Sequence, residues 1–558
     1  MRFCSQDVAC GAACLAVVVL AALPASAQSP AEASPNEGLP GFDGYHRPMT
    51  TRSPEAQRWF DQGLQLLYGF NHDEAIRSFH RAAELDPDCA MAHWGVAYAH
   101  GLHINNPVMT PEHSDLAFAA AKRAIAALDD ETPVEAALVR AVSVCYESPP
   151  PEDRRSLDEA YADAMEAAWH DCPDDPDVAA LFAEALMNLQ PWDLWTAAGE
   201  PKGRTLEIVA VLEKLLRTTP AHPGGNHFYI HAVEASPWPE RATAAADRLR
   251  DLVPGSGHLV HMPSHIDIRT GRYAAAAAAN ERAIAADERY FARAPRPEFY
   301  NVYFLHNIHF LAYAAMMEGR CEAALAAARK LEGVAPEPFL REFVVIADGF
   351  MTTTLHVLVR FGKWDEILAE PEPPEWRLFS RAERHYARAL ALANLKRIAE
   401  ARREIELLDE TAAGLTDEWL MGNNKASDVL AVARTMAEGE IAFHAGDRPR
   451  AFDLLRQAVA GEDALAYDEP PGWMQPVRHA LGALLLADGQ PAAAETAYRE
   501  DLERHPNNSW SLLGLQQALA EQGNDAAARE MTAEVKAAWA RADVAPEASC
   551  YCRRAAEQ

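Results

Sequence analysis

Residues 54–87 of the chain read PEAQRWFDQGLQLLYGFNHDEAIRSFHRAAELDP, and their pattern predicts two helices packed side by side. Small, aromatic and helix-ending residues carry this pattern: Trp59, Gly63, Ala75, Phe79, Ala82 and Pro87. The small residues allow the helices to approach closely, the phenylalanine fills the gap between them, and the proline ends the second helix. Copies of such a unit contact only their neighbours, which suits a chain of 558 residues that is too long for one ordinary core.

The same spacing recurs later in the chain, clearly near the C-terminus and partially in the middle. The matching residues are Leu481, Gly482, Ala494, Tyr498 and Pro506, then Gly439, Ala451 and Ala458, and also Ala242 with Pro254. By these residues the chain resembles the tetratricopeptide-repeat superfamily over residues 53–541. The resemblance implies an all-α fold, a right-handed superhelical solenoid of helix pairs. It also implies a concave groove, lined by the first helix of each pair, that binds a peptide or protein partner.

Two segments interrupt the helical rhythm and are predicted to be loop insertions. They are residues 101–113 (GLHINNPVMTPEH) and residues 190–204 (QPWDLWTAAGEPKGR), which place proline, glycine, asparagine and tryptophan where helices should continue. Loops of this kind on a solenoid tend to gather at the binding face. The segments PWDLW, NHFYIHAVEASP and GHLVHMPSHI also resemble uncharacterised exported bacterial repeat proteins, a resemblance that implies no particular activity.

Two pairs of histidines occupy the middle of the chain at the repeat spacing. His227 and His231 are one helical turn apart, and His261 and His265 repeat the pair 34 residues later (261 − 227 = 34 and 265 − 231 = 34). Residues at i and i+4 share one face of a helix, and residues one repeat apart lie side by side on neighbouring helices. We therefore expect the four imidazoles to converge on one transition-metal ion, for which nitrogen ligands favour Zn or Cu.

Further residues could extend this site. Four could act as additional ligands or support the ligands: Glu234, His258, His306 and His309. Five more are candidates for lining the groove: His93, His100, His103, Trp192 and Trp195. The alternatives remain open at this point, because histidines also cap helices, stack or line a polar groove without metal, and tryptophans often serve only to pack loops.

The N-terminus carries the pattern of a secretory signal. Arg2 precedes an apolar run over residues 10–23, and Ala25, Ser26 and Ala27 form an A-x-A cleavage site. We expect residues 1–27 to be a signal peptide, residues 28–52 a flexible lead-in, residues 53–541 the solenoid and residues 542–558 a C-terminal tail. The mature protein would be periplasmic or secreted, with no stable membrane insertion after cleavage of the signal.

Cysteines and charge limit the possible functions. Six cysteines would remain after cleavage, and an oxidising compartment would permit disulfides among Cys89, Cys145, Cys172, Cys321, Cys550 and Cys552. The motif at 550–552 could be a small clip, a redox or metal element, or a frayed end. The formal charge of −31, with no basic cluster to offset it, argues against nucleic-acid binding.

Three functions remain compatible with the residues. The first is transition-metal binding by the histidine-rich groove. The second is a metal-free scaffold that binds a peptide or protein, and the third is a metal-dependent hydrolase or oxidase. Catalysis would need an acid or base near the metal, and Glu234 and Glu184 are the carboxylates that could supply one. No nucleophile elbow, phosphate-binding loop or dinucleotide fingerprint is present in the sequence.

Overall fold

Helices make up almost all of the regular structure in the computed structural model, which describes residues 37–294 and 299–553. The predicted signal peptide, residues 1–27, lies outside these residues. The first half contains α1 (Pro54–Tyr68), α2 (His72–Leu85), α3 (Ala90–Ala99), α4 (Pro111–Ala126), α5 (Pro133–Ser143), α6 (Arg155–Asp171), α7 (Pro176–Asn188), α8 (Thr205–Thr218), α9 (Pro223–Val233), α10 (Thr243–Leu249), α11 (Gly257–His261), α12 (Pro263–Arg269) and α13 (Tyr273–Arg293). A short 3₁₀ helix, Pro239–Ala242, precedes α10.

The second half continues the same arrangement. It contains α14 (Asn301–Met317), α15 (Cys321–Val334), α16 (Glu337–Glu342), α17 (Val344–Ala347), α18 (Thr353–Arg360), α19 (Trp364–Ala369), α20 (Leu378–Asn394), α21 (Ile398–Ala412), α22 (Ala426–His444), α23 (Arg448–Asp463), α24 (Val477–Ala487), α25 (Pro491–Arg504), α26 (Ser509–Glu521), α27 (Asp525–Glu530) and α28 (Thr532–Ala538). A 3₁₀ helix, Phe350–Thr352, precedes α18. The strands β1 (Leu420–Met421) and β2 (Asn424–Lys425) form a small antiparallel hairpin before α22.

The first repeat packs as its sequence predicts. Phe79 of α2 is fully buried between α1 and α3, where it faces Gly63 and Gly95. A Cβ atom on Gly63 would lie 2.7 Å from the Phe79 ring, and one on Gly95 would lie 2.4 Å from it. Glycine at both positions therefore gives the aromatic ring its place between neighbouring helices.

The same arrangement recurs near the C-terminus. Tyr498 of α25 is buried between α24 and α26, and a Cβ atom on Gly482 or Gly514 would lie 2.4 or 2.2 Å from its ring. The prediction of an all-α fold built from packed helix pairs is confirmed.

The array of helix pairs folds back on itself. At one end α1 packs against α9, where the ring of Tyr68 lies against Gly224. At the other end α26 returns to α14, and the indole Nε1 of Trp510 donates a hydrogen bond of 2.8 Å to the carbonyl oxygen of Met316. The helices near the middle of the chain are therefore covered from both ends, and most side chains on their inner faces are buried.

The described part of the predicted lead-in is packed, in contrast to the flexible segment expected. Phe42 and Met49 are buried, and the Arg47 guanidinium donates hydrogen bonds to the carboxylates of Asp175 and Asp177 at the start of α7. The backbone also joins the core, because Gly255 N donates to Gly41 O over 3.1 Å. Residues 37–52 therefore tie the first repeat to later ones, while residues 28–36 lie outside the described part.

Three loop segments reach the interior. The predicted insertion at 101–113 forms a short bridge between His103 and Asn106, although its last residues already belong to α4. The predicted insertion at 190–204 is closed by a bridge between Trp195 and Pro201. A third loop, residues 464–476 between α23 and α24, was not expected from the sequence, and its Tyr467 ring lies 5.4 Å from the guanidinium of Arg269 on α12.

The C-terminal tail is docked on the helices. The Asp543 carboxylate accepts hydrogen bonds from the backbone N–H groups of Cys321 and Glu322, and so caps the start of α15. Ser549 is buried beside Tyr498, and Cys550 and Cys552 form a disulfide. Among residues 37–294 and 299–553, no helix has both the length and the apolar character needed to cross a bilayer.

Candidate metal centre

The first histidine pair lies on α9, whose start is fixed by local capping. The Nδ1 atom of His222 accepts a hydrogen bond of 2.8 Å from Gly225 N, and Pro223 occupies the first turn, where no backbone donor is required. The helix presents His227 and His231 from consecutive turns, with ring centroids 4.8 Å apart. The sequence prediction that these two rings share one helical face agrees with this geometry.

The second pair spans a break between two short helices. Pro263 lacks a backbone donor, so the hydrogen-bond ladder is interrupted between α11 and α12. Met262 nevertheless keeps helical dihedrals, with φ −50° and ψ −35°, so the chain direction continues. His261 and His265 therefore still face the same side, and their Nε2 atoms lie 2.8 Å apart.

Two further rings divide the predicted four-histidine site into two sets of three. The first triad is His227, His231 and His258, and the second triad is His261, His265 and His306. Within each triad one ligand atom from every residue lies within 4.8 Å of the others. Each helical pair is thus accompanied by a third ring from another turn or helix, and the single four-ligand ion stays a prediction.

The division rests on the positions of the ligand atoms, because the ring centroids alone do not separate the triads: His231 and His258 of the first triad are 6.4 Å apart. His227 and His258 have ring centroids 4.9 Å apart, and His261 and His306 have centroids 4.7 Å apart. Across the two triads the centroids of His231 and His265 are 5.9 Å apart, as are those of His258 and His261. The triads are separate sets of ligands, but they are immediate neighbours.

Hydrogen bonds fix the tautomer of four of the six rings. Each Nδ1 faces an oxygen acceptor: Tyr68 O for His227 at 2.7 Å, Glu234 Oε1 for His231 at 2.7 Å, Asn280 Oδ1 for His261 at 2.7 Å and Glu234 Oε2 for His265 at 2.5 Å. The Asn280 amide is itself oriented, since its Nδ2 donates to Ala276 O. A backbone carbonyl, a carboxylate and an amide oxygen all require a donor, so Nδ1 carries the proton and Nε2 keeps its lone pair in each neutral ring.

This arrangement leaves lone pairs facing one another. In the second triad the Nε2 atoms of His261 and His265, both without a proton in the neutral rings, approach to 2.8 Å. In the first triad the Nε2 lone pair of His227 lies 3.2 Å from Nε2 of His258, a ring whose tautomer no hydrogen bond at Nδ1 fixes. Two facing lone pairs repel unless a proton or a metal cation lies between them. Zn–N bonds of roughly 2.0–2.1 Å place tetrahedral ligand nitrogens about 3.3 Å apart, so only small movements would be needed.

Burial disfavours a proton between the facing nitrogens, because it disfavours the charged form of the rings. All six rings are buried or nearly so, and desolvation holds the pKa values of His227, His258, His261 and His306 well below the usual histidine value. Nearby imidazoles lower these pKa values further. Neutral imidazole is the form that binds metal, so burial keeps these four rings in the form of a ligand.

Glu234 connects the two triads. Burial would raise the pKa of its carboxyl group, but the adjacent His265 and His231 lower that pKa to about 2. The carboxylate is therefore ionised, and its two oxygens hold one ring of each triad. Carboxylates and carbonyls commonly orient metal-binding histidines in this way.

The surroundings of the triads are aromatic. The ring of Phe70 lies 4.6 Å from His227 and 5.5 Å from His258, and Phe310 lies 5.0 Å from His261. Trp192, in the second insertion, contacts His231 edge-on at 5.3 Å. Two ring nitrogens, His231 Nε2 and His258 Nδ1, are buried without a hydrogen-bond partner, although buried polar atoms normally have one.

Several predicted site residues lie outside the triads. His309 faces Met474, with 3.2 Å between Nε2 and Sδ, because α14 directs it towards the 464–476 loop. His100 pairs with His113, and His93 contacts Pro87 O near the surface, so neither joins the centre. Trp195 anchors its loop by donating to Ala232 O, which is a structural role.

His103 is nearer to the centre than these, because it stacks on Phe70, and the ring of Phe70 also contacts His227. Its ring lies 4.3 Å from Phe70 and 4.5 Å from His72, a residue that the sequence analysis did not select. Asn280 was also missed, although a lone amide in the alanine run of α13 was a usable signal. Glu184 accepts a hydrogen bond from Tyr98, away from the six rings.

Comparisons with known proteins give no function for the chain. No protein-family model matches the chain. Over 131 residues the chain is 37% identical to cellulose synthase operon protein C from Xanthomonas axonopodis pv. citri, a match that covers 23% of this chain and only 7% of that protein. The chain thus spans a small fraction of the length of this relative.

The solved structures to which the chain is similar have low TM-scores and low sequence identity. Human IFIT1 in a dimer with m7Gppp-AAAA has 12% identity and a TM-score of 0.33, covering 84% of this chain and 94% of that one. Cut9 in the APC/C hetero-tetramer Cut9–Hcn1 has 13% identity and a TM-score of 0.30, with coverages of 83% and 76%. At these values the likenesses carry no information about ligands or partners.

Proposed function

We propose that the protein binds transition-metal ions, zinc or copper, through the imidazole Nε2 atoms of its two histidine triads. The observation that carries this proposal is the common orientation of four rings, whose Nδ1 atoms all donate to oxygen acceptors. That orientation leaves four Nε2 lone pairs in a buried interior, where the pairs of rings approach to 2.8 and 3.2 Å. A set of imidazole nitrogens is the ligand chemistry that zinc and copper prefer.

A purely structural role for these histidines accounts less well for the geometry. Core histidines normally use both ring nitrogens in hydrogen bonds, whereas His231 Nε2 and His258 Nδ1 have no such partner. A peptide in the groove is also less well supported at this point, because five of the six rings are at most 4% exposed. A metal ion is small enough to satisfy the nitrogens without opening the interior.

The direct test is the metal content of protein purified without a histidine tag. We expect zinc or copper to remain after dialysis, and to be lost in the double variant His227→Ala/His261→Ala, which removes one ligand from each triad. These two positions are suitable because their Nδ1 partners, Tyr68 O and Asn280, are neutral and are not left as buried charges. His309→Ala is the matched control, since His309 is equally buried but lies outside both triads.

Two results would reject the proposal. One is wild-type protein that holds no metal and takes up none when zinc or copper is added. The other is a folded double variant with unchanged metal content, where folding is checked by the helical circular dichroism signal.

We also propose that the protein is exported. The disulfide between Cys550 and Cys552 supports this, because disulfides persist mainly in oxidising compartments. The pattern at residues 1–27 points the same way. Fractionation of cells that produce the untagged full-length chain tests the proposal, and a purely cytoplasmic location with an uncleaved N-terminus would contradict it.

A further inference from the structure

We infer that the centre holds a pair of copper ions, one in each histidine triad, and that the ions bind as Cu(I). This inference rests on the proposed function, which by itself specifies neither the number of ions nor their identity. The number follows from the division of the six rings, and the identity follows from charge and coordination.

Each triad is complete as a ligand set. The first contains His227, His231 and His258, and the second contains His261, His265 and His306, each with ligand atoms within 4.8 Å of one another. Each has its own hydrogen-bonded support, Tyr68 O in the first and Asn280 in the second, while Glu234 serves both. Two equivalent sets with their own supports indicate two ions rather than one ion shared among six rings.

The two ions would be close neighbours. Rings of different triads have centroids only 5.9 Å apart, both for His231 with His265 and for His258 with His261. Ions held by these rings would therefore repel each other in an interior of low dielectric constant. Such a pair is favoured only if the total charge is small.

The charges near the centre favour monovalent ions. Imidazole binds metal in its neutral form, and Glu234, which accepts an N–H from His231 and one from His265, is the carboxylate in direct contact with the ligands. Two Cu(I) ions with this carboxylate give a net charge of +1, whereas two Zn(II) ions give +3. Desolvation of ions costs several kcal/mol per uncompensated charge, so the divalent pair is disfavoured.

Two other carboxyl groups approach Glu234 without changing this conclusion. Asp468 and Glu469 of the 464–476 loop interact with it electrostatically, but burial raises the pKa of Asp468 to about 7 and that of Glu469 well above its usual value. Their partners are Asn423, Asn424 and Tyr467, not the imidazoles. They contribute less negative charge than Glu234 does.

The number of ligands points to the same metal. Zinc sites are almost always four-coordinate, and a site with three protein ligands completes its shell with water or substrate. Cu(I) is stable with three imidazole ligands and needs no water. The aromatic rings of Phe70, Phe310 and Trp192 around the triads suit this drier arrangement.

The test is an anaerobic titration of metal-free, untagged protein with Cu(I), using a coloured Cu(I) chelator as the competitor. We expect two Cu(I) ions per chain, and we expect a tenfold excess of Zn(II) to displace neither. His258→Ala and His306→Ala should each retain one ion, while His309→Ala should retain two. After oxidation to Cu(II), the electron paramagnetic resonance spectrum of the wild type should show coupling between the ions, which either single variant should abolish.

The outcomes separate this inference from the proposed function. Binding of a single ion, or two Cu(II) ions without magnetic coupling, would overturn the pair. Displacement of Cu(I) by a tenfold excess of Zn(II) would overturn the assignment to copper, although metal binding itself would stand. Absence of any bound metal would reject both. The wild-type stoichiometry and competition need no variant, so they decide the matter even if a single variant fails to fold.

Discussion

Replacement of Glu234 by glutamine should weaken metal binding at one triad and spare the other. The carboxylate accepts a hydrogen bond from His231 Nδ1 at 2.7 Å and another from His265 Nδ1 at 2.5 Å. A glutamine side chain has one oxygen that can accept from one ring, but its amide NH₂ would face the N–H of the other. That second ring must rotate or move its proton to Nε2, and either change removes a metal ligand.

The size of the effect follows from the loss of one supporting hydrogen bond. Removal of such a partner typically costs 10–100-fold in metal affinity, or about 1.4–2.7 kcal/mol. We therefore expect one affinity to fall by about this factor in Glu234→Gln and both to fall in Glu234→Ala. Glu240→Gln is the matched control, because Glu240 is exposed on the neighbouring 3₁₀ helix.

Competition with a chromophoric chelator measures both affinities in one titration. Unchanged affinities in Glu234→Gln, with the fold intact, would show that the carboxylate does not orient the ligands. An equal loss at both triads would show that the amide cannot support either ring, and would contradict the expected asymmetry.

Three further predictions concern stability. Phe79→Ala should lower the free energy of unfolding by about 3–5 kcal/mol in urea, because it empties the space between α1 and α3. Burial raises the pKa of Glu184 from 4.5 to about 8, so the folded state retains a proton that the unfolded state loses. Stability should therefore fall as pH rises from about 4.5 to about 8, and Glu184→Gln should flatten this dependence in thermal unfolding measured at pH 5 and pH 8. Asp543→Ala removes two hydrogen bonds from the start of α15 and should cost about 0.5–2 kcal/mol in thermal unfolding.

Each of these has a control in the same chain. Ile125→Ala, at an exposed apolar position, should change stability by less than about 0.5 kcal/mol, and a similar value for Phe79→Ala would contradict the packing argument. Glu147→Gln changes an exposed carboxyl group and should leave the pH dependence of thermal stability as in the wild type. If Glu184→Gln shows that same pH dependence, the buried neutral carboxyl group of Glu184 is contradicted. Asp543→Asn keeps one of the two acceptor oxygens and should cost less than Asp543→Ala, so equal losses in both Asp543 variants would exclude capping as the cause.

The helix pairs could be predicted because their packing depends on short-range sequence spacing. Gly63 and Phe79 are 16 residues apart, and the sequence pattern of the first repeat includes both residues of this close contact. The closure of the array could not be predicted in the same way. It depends on contacts such as that of Arg47 with Asp177, which are 130 residues apart and leave no periodic pattern.

The candidate site was predicted in part for a similar reason. The 34-residue spacing correctly placed two histidine pairs on neighbouring elements, and His258, His306 and Glu234 were selected because they are a turn or a repeat away. The supporting groups of the first triad were missed, since Tyr68 O is a backbone atom 159 residues from His227. No side-chain pattern can indicate such a partner.

The division into two triads follows from the geometry of a helical repeat. Rings at i and i+4 are 4.8 Å apart in both pairs, while His231 and His265, which occupy the same place in the two pairs, are 5.9 Å apart. A repeated histidine pair therefore produces two neighbouring half-sites, and each half-site needs a third ligand from elsewhere. His258 supplies it from the turn before His261, and His306 supplies it from α14. Because both half-sites derive from the same repeat position, one carboxylate at the end of α9 can reach a ring of each, so its loss in Glu234→Ala should weaken both half-sites, whereas Glu234→Gln should weaken one.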